Sequence, residues 1–145
     1  MSKEYIYDVN LAWKEGRIGT LSSSVLEQTV QVATPPEFDK GVEGIWSPEH
    51  LFISAVSSCL MTTFLAMADF SKLEFESFSC AATGTLGKVD GKFAVDKITL
   101  KPTVVIKDEK DREKADRLLH KAEASCLISN SVKTEISMET NIQVM

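Results

Sequence analysis

The stretch from Leu51 to Ala68 constrains this chain most: it carries no charge, and only Ser54, Ser57, Ser58, Thr62 and Thr63 interrupt its apolar side chains. Immediately before it stands Ser47-Pro48-Glu49. Ser can cap a helix, Pro suits the first helical position because its missing N–H would lack a partner there anyway, and Glu complements the helix dipole. Phe52, Ala55, Val56, Cys59, Leu60, Thr63, Phe64 and Met67 follow at three-to-four spacing. That spacing predicts a helix of about six turns with an apolar face that includes Cys59. The hydroxyl residues break any run of about eighteen consecutive apolar residues, so the segment reads as the buried helix of a soluble protein and not as a membrane span. A helix this apolar must be covered on most sides, and one small sheet covers only one of them. A partner subunit would cover the rest.

The flanking segments alternate as strands do. Tyr5, Tyr7, Val9, Leu11 and Trp13 share one face of a half-buried strand, Gly16 and Gly19 flank Arg17 in a turn, and Leu26, Val30 and Val32 carry a further strand that Pro35-Pro36 ends. A loop from Pro35 to Trp46 leads into the apolar helix. Beyond it, Phe78, Cys80 and Ala82 alternate toward Leu86, and Asp90-Gly91 is a hairpin signal. A partner strand then runs from Lys92 to Ile106, and its apolar parity changes near Asp96-Lys97, which predicts a β-bulge. Asp108 can cap a second helix whose core face is Ala115, Leu118, Leu119, Ala122 and Cys126. Val132, Thr134, Ile136, Met138, Thr140, Ile142 and Val144 alternate in a last strand. Strands in runs with only two helices indicate an α+β fold of antiparallel sheets, in one domain spanning 1–145.

Charge and composition then exclude several functions. Sixteen basic against twenty-one acidic residues give a net charge of -5, which repels a phosphate backbone and argues against nucleic acid as a partner. The N-terminus has neither a basic start nor an apolar h-region, so the expected location is the cytoplasm. No Gly-rich phosphate loop or nucleophile elbow is present, and His50 and His120 are too few for a histidine metal site, so neither metal nor organic cofactor is expected. Three cysteines, Cys59, Cys80 and Cys126, are too few for a disulfide scaffold. A buried cysteine is most often a small hydrophobe, and Cys80, alternating with Phe78 and Ala82, fits that description. Cys59 and Cys126 sit near a face and an end of the two helices and could meet.

Ser47-Pro48-Glu49-His50-Leu51-Phe52, followed by Ser57-Ser58-Cys59, resembles the helix start and first cysteine of the OsmC/Ohr family, the osmotically inducible and organic hydroperoxide resistance proteins. Lys121-Ala122-Glu123 running into Ser125-Cys126-Leu127-Ile128-Ser129-Asn130 resembles that family's second cysteine segment, and the likeness is collinear along the chain. The resemblance implies an OsmC-like fold with antiparallel sheets around two main helices, assembled as an intertwined homodimer with active sites at the subunit interface. It implies a thiol-dependent peroxidase for organic hydroperoxides. Cys59 would become a sulfenic acid, Cys126 would resolve it to a disulfide, and a dithiol reductant, in this family often lipoyl-linked, would restore both thiols. Gly16-Arg17-Ile18-Gly19 with Ser22-Ser23 resembles the turn that carries the activating Arg in the Ohr branch, which gives Arg17 that role and Glu49 the role of its orienting carboxylate. The loop that carries the Arg in the OsmC branch has none here: it reads Phe38-Asp39-Lys40-Gly41-Val42-Glu43-Gly44. Phe52, Phe64 and Trp46 are the expected substrate-pocket side chains. The alternative reading is an OsmC-fold protein with little peroxidase activity that binds a small hydrophobic ligand at the dimer crevice.

Overall fold

A computed structural model describes residues 3–145. The chain divides into two compact units, 1–51 and 52–145. The first unit holds a three-stranded antiparallel sheet in the order β1 (Asn10–Glu15), β2 (Ile18–Ser23), β3 (Leu26–Ala33). The tight turn between β1 and β2 is Gly16-Arg17 alone, with Gly16 at φ 52. Gly19 lies inside β2 opposite Trp13, where a Cβ would approach Leu11 Cδ1 to 3.0 Å. The expected turn over residues 16–19 is therefore shorter, and it frees residues for a strand the periodicity did not resolve. The half-buried strand expected from Tyr5 also changes. Regular pairing begins at Asn10, and Tyr5, Tyr7, Val9, Leu11 and Trp13 are all exposed in the isolated chain.

Helix α1 (Pro48–Phe70) begins where the sequence places it. Ser47 is its cap: the fully buried Oγ accepts from the His50 N–H at 3.1 Å and lies 2.6 Å from His50 Nδ1. The helix ends with Lys72 in the left-handed region (φ 57) and the Leu73 N–H donating to the Ala68 carbonyl at 2.9 Å, a closure that also tucks Leu73 into the core. By length and composition α1, with a mean hydropathy of 1.9 over its most apolar window, is long and apolar enough to cross a membrane. In this fold, however, its stripe Val56, Leu60, Phe64 and Ala68 packs into the core.

The second unit is built on the hairpin β4 (Phe75–Val89) and β5 (Lys92–Ile106). Asp90 and Gly91 both have positive φ, 51 and 78, the primed turn that matches the right-handed twist of paired strands. The bulge falls where the parity change predicted it: Thr85 pairs Lys97 and Leu86 pairs Val95, which leaves Asp96 as the extra residue. Helix α2 (Arg112–Ala124) follows a 3-10 turn, Glu109–Asp111, capped by Asp108 through the Lys110 N–H. Ala115, Leu118, Leu119 and Ala122 are buried with Ile98, Leu100, Val104 and Ile106 of β5 and the stripe of α1. Gly84 on β4 allows the close approach of α1, since a Cβ there would stand 2.5 Å from Ile53 Cδ1.

The single strand expected over Val132–Val144 is two, β6 (Glu135–Met138) and β7 (Asn141–Val144), both parallel to β5. The sheet is accordingly mixed rather than purely antiparallel. The interruption has a local cause: β6 pairs β5 up to Leu100 and β7 resumes at Thr103, which leaves Pro102 opposite the break. Proline has no N–H to give a neighbouring strand.

Packing makes the stripe of α1 the most sensitive part of this unit. Leu60→Ala should lower the unfolding free energy by about 2–5 kcal/mol, whereas Val25→Ala, at a position 80% exposed, should change it by less than about 0.5 kcal/mol. Urea unfolding followed by circular dichroism, with unchanged m-values, checks both.

Candidate functional site

The second unit brings Cys59 and Cys126 together. Cys59 projects from the middle of α1 beside the buried stripe and remains half-buried, while Cys126 lies just past the C-terminus of α2 and is 0% exposed. Both are free thiols. Their thiols face each other and shift each other in opposite directions, with Cys126 on the donor side and Cys59 on the acceptor side. Burial pushes the Cys59 thiol up, but the hydrogen bond from Cys126, the Ile128 N–H, the Thr63 hydroxyl and the Leu127 N–H together outweigh it and hold its pKa below the ordinary value. Thr63 stands one turn along α1 with Oγ1 4.0 Å from the Cys59 sulfur. Cys126 shifts the other way: burial, and then its role as donor to Cys59, raise its thiol.

The segment after α2 is shaped for this task. The Cys126 N–H turns back to the Glu123 carbonyl at 3.2 Å and the Asn130 N–H to the Cys126 carbonyl at 3.0 Å, closing a tight turn that runs into the 3-10 turn Ser129–Ser131. Successive N–H groups at Leu127 and Ile128 thereby face the Cys59 sulfur. An array of oriented amides of this kind favours an anion. A thiolate is the nucleophilic form of cysteine, so the arrangement can supply a reactive sulfur backed by a second sulfur in contact with it.

Cys80 stands apart on β4. Burial raises its thiol, and the nearby Glu123 carboxylate adds to the shift, so it lacks the features that favour a thiolate at Cys59.

The remaining expected residues lie in the first unit or the core. Arg17 is exposed in the β1–β2 turn, beside a cavity of about 350 Å³ that Leu11, Trp13, Thr34 and Pro48 also line. Glu49 occupies the first turn of α1, and its Oε1 is buried without a hydrogen-bond partner. Among the described residues Arg17 and Glu49 form no ion pair with each other. Trp46 is half-exposed, its carbonyl accepting from the Ala33 N–H at 2.8 Å and its ring set edge-on to His50 at 6.1 Å. Phe52 lines a groove of about 380 Å³ with Val95, Asp96 and Lys133. Phe64 is wholly inside the core, its ring 5.6 Å from Phe75 and 5.3 Å from Phe78, so in this chain it presents no surface to a substrate.

Sequence reasoning missed the Leu127 and Ile128 amides because backbone donors leave no mark in residue type. Thr63 carried a signal in its spacing of four from Cys59 on a helix. Among the described residues no group of three or more His, Cys, Asp or Glu side chains is arranged to hold a metal ion.

The fold is α+β, with one cysteine on the long apolar helix and a second in the turn after the other helix. A sequence profile of OsmC-like proteins matches residues 41–141, and the chain belongs to that family. It is 29% identical over 130 residues to the uncharacterized protein YmaD of Bacillus subtilis, covering 88% of this chain and 85% of that one. It is also 29% identical over 129 residues to the peroxiredoxin OsmC of Escherichia coli, covering 89% and 87%. Among solved structures, an OsmC-like protein of unknown function from Vibrio cholerae superposes with a TM-score of 0.86 at 28% identity, over 94% of this chain and 99% of that one. An organic hydroperoxide resistance protein from Elizabethkingia anophelis shares the fold with a TM-score of 0.77 at 20% identity, over the full length of both.

The hydrogen bonds at Cys59 give a direct expectation. A lowered pKa means that the thiolate fraction, and with it the alkylation rate, rises with pH at a lower midpoint than for an ordinary cysteine. Cys126→Ala removes a donor to that sulfur and should move the midpoint upward, as read from iodoacetamide rates with mass-spectrometric assignment to Cys59. An unchanged midpoint would show that the amides and Thr63 suffice alone.

Proposed function

We propose that the protein is a thiol-dependent peroxidase that reduces organic hydroperoxides to alcohols, serving oxidative-stress defence in the cytoplasm. The observation that carries the reading is the pair of free thiols, Cys59 half-open on α1 and Cys126 fully enclosed after α2, whose mutual influence lowers the first and raises the second. The Cys59 thiolate attacks the terminal oxygen of the hydroperoxide, the O–O bond breaks, and the departing alkoxide takes a proton to leave as the alcohol. Cys59 is left as a sulfenic acid. Cys126, already in contact, attacks that sulfur and forms the disulfide as water leaves. A dithiol reductant returns both sulfurs to thiols, and a reducing compartment suits such a cycle. No cofactor takes part.

A homodimer completes this site. Glu49 and Cys59 are ten residues apart on one continuous helix, a rise of about 15 Å, so the helix-start carboxylate of a chain lies far along the axis from its own cysteine. Where two copies of α1 pack in opposite directions, Arg17 and Glu49 of the partner subunit would come to Cys59. The buried, unpaired Oε1 of Glu49 supports such a completion. So does the apolar surface left open on a single chain, since Met61, Leu65 and Phe70 of α1 and Leu11 and Trp13 of β1 are all exposed. An Arg beside the thiolate would add charge to the amide donors and offer a planar fork to the peroxide oxygens. Phe52 and Trp46 are then the apolar side chains that favour an alkyl over a hydrogen peroxide.

The test is a thiol count. Anaerobically reduced protein given one equivalent of cumene hydroperoxide should lose two thiols per chain, with the lost pair mapped to Cys59 and Cys126. Cys59→Ser should abolish peroxide consumption, and Cys126→Ser should let Cys59 progress to irreversible acids. Arg17→Ala or Glu49→Gln should lower the rate by about a hundredfold, the typical cost of one oriented donor. Sedimentation should report twice the 16.0 kDa chain mass. Retention of all thiols would instead favour a ligand-binding role for the crevice.

A further inference from the structure

The two sulfurs of the pair differ in access. Cys126 is 0% exposed even in a single chain, whereas Cys59 stays half-open on α1. A second subunit can add cover but not remove it, so Cys126 stays enclosed in any assembly. Nor is Cys126 free to turn outward. Its N–H donates to the Glu123 carbonyl at 3.2 Å, and its carbonyl accepts from the Asn130 N–H at 3.0 Å. Around it the Ser131 hydroxyl donates to the Leu127 carbonyl at 2.7 Å, the Ser131 N–H to the Ile128 carbonyl at 2.9 Å, and the Asn130 side-chain amide to the Ala124 carbonyl at 3.4 Å. Ile128 packs against the core, and Leu127, 76% exposed, is the side chain that this turn gives to solvent. Bringing the Cys126 sulfur to the surface would break several of these hydrogen bonds at once. Thiol–disulfide exchange requires a thiolate to reach the sulfur it attacks, and that requirement separates the two ends of a Cys59–Cys126 disulfide.

We propose that the dithiol reductant attacks Cys59 and not Cys126, and is carried as a mixed disulfide on Cys59 while Cys126 is released. The inference rests on the peroxidase reading for the origin of the Cys59–Cys126 bond. In the first exchange a reductant thiolate bonds to the Cys59 sulfur as the Cys59–Cys126 bond breaks. Cys126 leaves with the bonding pair and takes up one proton, matching the one the reductant lost. In the second exchange the other reductant thiol loses its proton and attacks the reductant sulfur bound to Cys59. A cyclic disulfide departs and Cys59 is left as the thiolate, so two electrons have passed from the dithiol to the pair. Leaving-group chemistry alone points to the opposite end, because attack on Cys126 would expel Cys59, the sulfur of lower pKa. That effect is graded, whereas an enclosed sulfur offers no approach. The same lowered pKa then favours the second exchange, in which Cys59 is the group expelled. A monothiol lacks this second step, and its adduct stays beside the released Cys126, which can return and expel it.

The test maps the first adduct. Protein carrying Cys80→Ser is oxidised either with one equivalent of cumene hydroperoxide or with diamide, which needs no peroxidase activity. It is then mixed with excess 2-mercaptoethanol, quenched at successive times with N-ethylmaleimide in concentrated urea, and digested for mass analysis. Extrapolated to zero time, the mercaptoethanol adduct should lie on Cys59 and the maleimide on Cys126, at least about tenfold over the reverse. When the exchange itself is run in concentrated urea, where both sulfurs can be reached, the adduct should divide between them within about threefold. Adduct first on Cys126 in the folded protein, or an unchanged preference in urea, would overturn the inference. So would the absence of a Cys59–Cys126 bond after both oxidants. A bond formed by diamide but not by hydroperoxide, with the adduct still on Cys59, would overturn the peroxidase reading and leave the route of reduction standing.

Discussion

Burial of one stripe of α1 underlies the site. Val56, Leu60 and Phe64 are fully buried against β5 and α2, and each such side chain contributes about 1.5–3 kcal/mol relative to exposure. A single hydrogen bond contributes roughly 1 kcal/mol net. The contact between Cys59 and Cys126 is therefore a consequence of the packing and not its cause. Seating the stripe fixes the rotation of α1, and that rotation leaves Cys59 at the edge of the stripe, half-buried and open on one side. The same core holds α2 and ends it where Cys126 is fully enclosed. An apolar helix that buries only one side in a single chain has also left the rest of its surface for another purpose.

Elements governed by local chemistry were legible in the sequence, and elements governed by pairing were not. The Ser-Pro-Glu helix start, the Asp90-Gly91 turn and the bulge at Asp96 each depend on a residue's own conformational limits or on parity within one strand. The division of the last strand does not, since nothing between Val132 and Val144 announces a break. Its cause is Pro102, some forty residues earlier in the chain, acting across the sheet. The alternation from Tyr5 to Trp13 was equally misleading about burial: a period of two shows that one face is apolar without showing what covers it. Exposure of that face in one chain is consistent with coverage by a second.

The sequence placed Cys59 and Cys126 where they could meet, and likeness to a family gave them their roles and a cation as activator, because charge is what residue letters display. In the structure the lowered thiol at Cys59 is owed within its own unit to a thiol, a hydroxyl and two backbone amides. Amide dipoles are available to any sequence that can form the turn after α2, so they are invisible until the turn is built. Arg17 changes meaning as a result. Sequence likeness assigned it the role of activator, whereas the fold already lowers the Cys59 thiol without it. A guanidinium arriving from a partner would add to this lowering and, more distinctively, give the peroxide oxygens a donor that amides turned toward the sulfur cannot provide.

The asymmetry of the pair also sets an order of events in the proposed chemistry. Cys59 is the acceptor of the shared proton and the sulfur with open surface, while Cys126 is the donor and has none. A hydroperoxide entering from solvent can meet only Cys59, and Cys126 can meet only what Cys59 becomes. Once Cys59 carries an oxygen it is no longer an anion seeking donors, and the hydrogen bond that kept Cys126 protonated loses its acceptor. The release of that proton then becomes the demand the site must satisfy.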